Sequence, residues 1–212
     1  MADRRVAQPP TSRQLQAQAR REQILEAAVT LFAEQGFDGT STRQIAAAVG
    51  VTEGLIFHYF PTKADLVSAV LESRHGFIIK LREILADANR RPVGEVLPEV
   101  AATWLRTLRA ETAIASVMFG AALTNEQVGV ALQGIVREGI VRLATYLRAR
   151  IQAGELRATL PVETSAQMFI APLMAFFLTH RTVSDDEWDR HGSIFVQELF
   201  TVWLEGARAR CS

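Results

Sequence analysis

The chain has 212 residues, 49% apolar and 22% charged, enough to bury a sizeable core in one or two domains without disulfides or metals. That balance excludes a wholly disordered chain, and 7 prolines and 13 glycines exclude a collagenous or low-complexity one. The 23 basic residues balance the 23 acidic ones, and the single cysteine, Cys211, excludes an internal disulfide and a thiolate zinc site.

Residues 1–21 carry Arg4, Arg5, Arg13, Arg20 and Arg21 against Asp3 alone, a local net charge of +4. They lack the apolar core of a signal peptide. Residues 1–19 therefore read as a flexible basic arm, either simply solvated or able to find phosphates. Ile24, Ala27, Ala28, Leu31 and Phe32 then form one helical stripe, which Gly36 stops. Ser41-Thr42-Arg43-Gln44 has the form of a capping box and opens a short helix that ends at Gly50. Thr52 is placed to cap a third helix through Phe60, closed by Pro61. Thr62 to Asp65 offers another cap, opening a longer helix toward residue 88.

After the break at Arg91–Gly94, helices are expected over 95–109 and from about Ala110 to Leu123. Thr124-Asn125 precedes a long helix with Val128, Leu132, Ile135, Val136, Leu143, Leu147 and Ile151 inward, ended by Gly154. Pro161 opens the next, to about His180, and Ser184–Glu187 caps the last, which ends near Gly206. The longest apolar run, Met168 to Leu178, has 11 residues and includes Pro172. It falls short of the ~20 residues of a membrane span, so a soluble, cytoplasmic protein with no membrane partner is expected. No alternating strand pattern occurs. The expected fold is all-α, with about nine helices.

Two short helices joined through a Gly-centred turn make a helix-turn-helix, here about residues 42–61. Ile45, Val49, Val51, Ile56 and Phe60 are placed to lock the pair against the first helix, with Ala46 and Ala47 keeping the crossing close. Gly50 permits the sharp turn that projects the third helix outward, toward a DNA major groove.

The stretches ILEAAVTLFAEQGFDGTST, IAAAVGVTEGLIFHYF and PTKADLV resemble the N-terminal DNA-binding domain of the TetR family of bacterial transcriptional regulators. The resemblance covers residues 20–71. It implies an N-terminal three-helix DNA-binding domain over 20–75, then a helical effector-binding and dimerisation domain over 76–212. It further implies a homodimer on a palindromic operator in double-stranded DNA, and release by a small-molecule effector.

Carried onto this chain, the resemblance points to Thr42, Thr52, Gly54, Leu55, His58, Tyr59 and Lys63 at the DNA. Thr42 stands at a helix start, where hydroxyl and backbone N–H suit a phosphate. Thr52 either does the same or only caps. Gly54 lets the duplex backbone come close, and Leu55 either meets a thymine methyl or is a plain surface leucine. His58 either reaches a base edge or phosphate or is a plain surface residue, and Tyr59 offers a hydroxyl to a phosphate while its ring must also pack. Lys63 is the phosphate-contacting lysine by position. The chain departs from the family at Phe57, commonly tyrosine, and at Glu53, often basic or small. Glu53 reads either as an acceptor for a cytosine amino group or as a stabiliser of the helix N-terminus. Residues 22–75 have a net charge of −4, so the arm is expected to supply much of the attraction to DNA.

Over 76–212 no phosphate loop, metal-spaced histidine pair or nucleophile elbow appears, so neither catalysis, a metal nor a cofactor is expected. Trp104, Met118, Phe119, Phe169 and Phe176 are core residues or the lining of an apolar effector site. Apolar residues spread around the last two helices, about 162–181 and 185–205, suggest pairing with a twin. The alternative to a ligand-responsive repressor is an all-helical enzyme or interaction module whose helix-turn-helix is only structural.

Overall fold

The computed structural model describes residues 11–73 and 76–208. Among the described residues ten α-helices follow one another: α1 Ser12–Gly39, α2 Thr42–Val49, α3 Glu53–Tyr59, α4 Lys63–Ser73, α5 Gly76–Ala86, α6 Val93–Ala110, α7 Thr112–Thr124, α8 Glu126–Gln152, α9 Val162–His180 and α10 Asp185–Ala207. A 3-10 turn, Ala88–Arg90, separates α5 from α6. No strand occurs among the described residues; Leu156 and Arg208 form an isolated antiparallel bridge. The all-α expectation holds, and each expected segment contains a helix among the described residues. The segment expected as one helix over 62–88 is described as α4 and α5.

Several ends form as their sequences dictate. Ser41 and Gln44 form the expected capping box on α2, and Ser184 and Glu187 do so on α10. Asn125 accepts from the Val128 N–H at the start of α8. Asp65 and Thr62 bond reciprocally before α4. Residues 12–19 correct the expectation of an arm that is flexible throughout: they are the exposed first turns of α1. A capping box between Thr11 and Gln14 starts that helix, and the run Gln14 to Ala19 contains no helix breaker. Residues 1–10, with Arg4 and Arg5, lie outside the described residues.

Gly36 does not end α1 but kinks it, at φ 75°, a conformation open to glycine without a Cβ clash. Thr40, 2% exposed, ties off the turn by donating to the carbonyls of Gly36 and Leu31 at 2.9 and 3.0 Å.

Two buried clusters result. One joins Ile24, Phe32, Ile45, Ile56 and Leu66 to Met118 of α7 and Val128 of α8. The first four helices are thus seated on α7 and α8 by apolar packing. Each such fully buried side chain contributes about 1.5–3 kcal/mol relative to exposure. The other cluster, around Leu97, Leu143, Leu147, Phe169, Phe177 and Trp188, unites α5, α6, α8, α9 and α10.

A polar knot sits within the second unit. Arg150, 7% exposed, pairs with Glu155 at 3.0 Å. The Tyr146 hydroxyl and the Arg150 guanidinium both donate to the Arg91 carbonyl.

Helix α9 corrects one expectation: by length and composition it is apolar enough to cross a membrane. Here it is a core helix, with Ala166, Phe169, Ile170, Leu173, Phe176 and Phe177 buried. Ala47 is also exposed, and Ala46 alone supplies the close approach of α2.

Candidate nucleic-acid interface and effector cavity

The α2–α3 pair is built around Gly50, which adopts the left-handed conformation (φ 71°, ψ 37°) as the C-cap of α2. The Val51 N–H then donates to the Ala46 carbonyl at 2.9 Å, closing the turn. Ile45, Ile56 and Phe60 are buried, while Val49 and Val51 pack partly buried against them. Burying that face leaves the opposite face of α3 outward.

On it Thr52, Gly54, Phe57 and His58 are exposed, and Leu55 and Tyr59 are half-buried. The His58 and Tyr59 rings meet edge-on at 5.4 Å. No atom lies within 4 Å of a Cβ built at Gly54. Thr52 occupies the N-cap position of α3, yet its side chain makes no capping bond. The cap expected from its hydroxyl is absent, and the residue is exposed.

Three further arrangements surround α3. The Thr42 hydroxyl donates to a Glu53 carboxylate oxygen at 2.6 Å, joining the starts of α2 and α3. The half-buried Lys63 holds its ammonium 4.2 Å from the centre of the Phe37 ring. Burial pulls the Lys63 pKa below the usual lysine value, against the opposing pull of Asp38. On the other side, Arg21 of α1 sits over the Phe60 ring at 5.2 Å. The roles of Phe37 and Arg21 escaped sequence reading, because a ring-to-cation contact between residues 26 or more apart leaves no local spacing.

A second site lies between the two clusters. It is a cavity of about 130 Å³ bounded by residues of α4 to α9. Trp104, Met118 and Phe119 line it, as does Phe77, which meets Trp104 edge-on at 6.3 Å. Leu132, Ile135 and Val136, expected as inward positions of α8, line it too. Phe169 and Phe176 do not. Phe169 is fully buried against Trp203, and Phe176 is stacked on His180 and Phe195. Their apolar faces are satisfied inside the α9–α10 packing, which spacing along a helix cannot distinguish from a cavity wall. Thr107 and Glu111 are the polar lining residues. Among the described residues no group of three His, Cys, Asp or Glu side chains is arranged to hold a metal.

Residues 24–70 match the model of the bacterial regulatory proteins of the tetR family. The HTH-type transcriptional repressor KstR2 of Rhodococcus jostii is 38% identical over 82 residues, covering 37% of this chain and 39% of that protein. The HTH-type transcriptional regulator AcrR of Shigella flexneri is 46% identical over 57 residues, 27% and 26% of the two chains. This chain thus spans well under half the length of these curated relatives. The fold as a whole is similar to that of the transcriptional regulator FadR of Bacillus subtilis in complex with stearoyl-CoA. That likeness has a TM-score of 0.71 at 21% identity, over 87% of this chain and 98% of the other.

Proposed function

We propose, from the match of residues 24–70 to the TetR family of bacterial transcriptional regulators, that the chain is a cytoplasmic, sequence-specific repressor of that family. It binds a palindromic operator as a homodimer and leaves it when a small, largely apolar molecule fills the cavity. The observation that carries the reading is the outward face of α3, with Thr52, Gly54 and His58 exposed beside Lys63. Phosphate contacts position such a protein, and base contacts give it specificity.

In this assignment Lys63, Thr52 and Tyr59 meet phosphates, and Leu55 and His58 reach base edges. Gly54 leaves room for the duplex. Thr42 presents its backbone N–H, since its hydroxyl proton is directed at Glu53. Arg13, Arg20 and Arg21 extend the positive charge along α1 and partly offset the net acidity of 22–75.

Release follows from where the cavity lies. Val70 of α4 and Ile114 and Met118 of α7 line it and also belong to the cluster that seats the helix-turn-helix. A ligand that fits only the arrangement unable to bind DNA shifts the population toward it. Moving from 1:99 to 99:1 takes about 5.5 kcal/mol of differential affinity. FadR holds stearoyl-CoA in its complex; ligand responsiveness is carried over here, and that ligand is not.

Pairing uses α9 and α10. One side of α9 is committed to the protomer's own core: Phe169, Leu173, Phe176 and Phe177 are at most 5% exposed. A different set remains outside. Met168, Ala171, Ala175 and Leu178 fall on one face of α9, with Ile194 and Val202 exposed on α10.

The test is a gel shift on DNA flanking the protein's own gene, at rising salt. A specific complex is expected, and Lys63→Ala should lower the log–log salt slope by about one at every site. Binding without sequence preference would overturn the reading.

A further inference from the structure

We propose that the cavity takes a compact ring compound carrying one hydrogen-bond donor, of phenol size, with its ring against Trp104 and Phe77 and its donor on the Glu111 carboxylate. The inference rests on the cavity being the effector site and names the class of molecule that fits it.

Size comes first. An apolar cavity of about 150 Å³ holds benzene, whereas sites for drug-sized ligands run from about 300 Å³ upward. At about 130 Å³ this cavity is matched to a single ring. A long acyl chain or a fused-ring skeleton would project beyond it.

The walls come next. Phe77, Trp104 and Phe119 supply aromatic faces and edges, and Met118 and Met174 supply thioethers that adapt to a ring edge. Such a lining favours an arene over an aliphatic chain of equal volume.

The polar end decides the rest. Thr107 gives its hydroxyl proton to the Thr103 carbonyl at 2.9 Å, leaving only lone pairs, which the Lys80 ammonium approaches at 3.5 Å. Glu111, one helical turn further on, is a carboxylate and therefore accepts without donating. With about four lone-pair sites it takes a ligand proton alongside the contact it already has in the protein. No lysine, arginine or histidine lines the cavity among the described residues. Both polar lining groups among the described residues therefore call for a donor, which benzoate and decanoate lack as carboxylates.

Position gives this end its regulatory weight. Thr107 Cγ2 and Glu111 Oε1 lie 3.5 and 3.9 Å from a Cβ built at Gly76, the first residue of α5. A donor bound there sits beside the first residue of α5.

Titrations of the full-length protein with phenol, toluene, benzoate and decanoate test the inference through Trp fluorescence. Phenol should quench a signal that Trp104→Phe abolishes while Trp188 and Trp203 still emit. Toluene should bind about tenfold more weakly, and Glu111→Ala should cost phenol about tenfold while leaving toluene unchanged. Retained toluene binding shows that the variant's cavity is intact, and Glu111→Gln, which keeps an acceptor, should restore part of the loss. Equal affinity for phenol and toluene, or tighter binding of benzoate or decanoate, overturns the assignment. Release of DNA by decanoate but not phenol rejects the ligand class and leaves ligand-controlled repression standing. Phenol binding at Trp104 without any change in DNA affinity supports the ligand class and rejects the reading of the cavity as the switch.

Discussion

Thr42 and Glu53, eleven residues apart, are joined by a 2.6 Å hydrogen bond from the hydroxyl to the carboxylate, a strut between the first turns of α2 and α3. It holds an acceptor-only group at the N-terminal end of α3, the end that the proposed function turns toward base edges and phosphates. The two readings of Glu53 from sequence concerned a cytosine or the helix N-terminus. A third group, on the neighbouring helix, engages it in the free protein.

Removing the strut should have two separable effects. Thr42→Val leaves the carboxylate without this donor and should lower stability by about 1 kcal/mol in urea unfolding. Glu53→Gln removes a negative charge from a surface meeting phosphates. It should strengthen binding to a scrambled duplex more than to the operator, narrowing the specificity ratio. An unchanged affinity for the scrambled duplex in gel shifts would show that Glu53 faces away from DNA.

Lys63 should make DNA binding unusually sensitive to alkali. Burial over Phe37 holds its pKa below the ordinary 10.5, so it sheds its charge before an exposed lysine does. DNA affinity should fall as pH rises through that lowered value, and Lys63→Arg should flatten the fall because guanidinium stays charged. The free protein should behave in the opposite sense. Its folded state disfavours charged Lys63, so this group's unfavourable contribution is relieved as pH rises from the lowered value to 10.5. Fluorescence anisotropy and urea midpoints over the same pH range read the two trends.

Tyr146 acts in a higher window. Burial pushes its phenol from 10.0 up to about 12, so the folded state prefers the neutral form. The stability this provides is complete below pH 10 and is lost as pH rises from 10 to about 12. Tyr146→Phe should abolish that alkaline loss. It should also cost about 1 kcal/mol at neutral pH, by removing the 3.1 Å bond to the Arg91 carbonyl. Unfolding midpoints of the two proteins between pH 8 and 12 check both statements.

The exposed apolar face of α9 and α10 should pair protomers. Sedimentation at micromolar protein is expected to give twice the monomer mass. Leu178→Glu or Ile194→Glu should yield a folded monomer with weakened operator binding, because both side chains are about half exposed in the single chain and leave its core intact. A permanent interface of this kind buries on the order of 2,000 Å² or more. A wild-type monomer bound one subunit at a time would refute the pairing.

Local chemistry was enough to determine much of this protein. Helix ends follow from residues three apart, as at Ser41 and Gln44 or Ser184 and Glu187, and the turn at Gly50 follows from glycine's access to positive φ. The helix-turn-helix and the resemblance carried by residues 24–70 were therefore legible in a single stretch of chain. Even locally there were misses: Thr11–Gln14 caps a helix where composition pointed to an arm, since charge and polarity describe solvation and not backbone conformation.

What only the tertiary structure decided depends on residues distant in sequence. Helical spacing says that a face is apolar but not what covers it. Trp104 and Phe176 are equally apolar, yet one borders a cavity while the other is stacked in the core. The same holds for the cations: Lys63 is half-buried because the kink at Gly36 and the return through α4 bring Phe37 under its ammonium. It holds again for the strut, since Glu53 reaches Thr42 only after α2 and α3 have been folded against α1 by Ile45, Ile56 and Phe60. Hydrogen bonds within one turn are written by neighbours. Cavities, ring-seated cations and interhelical struts arise from how whole helices close on one another, a relation set by the burial of many distant side chains together.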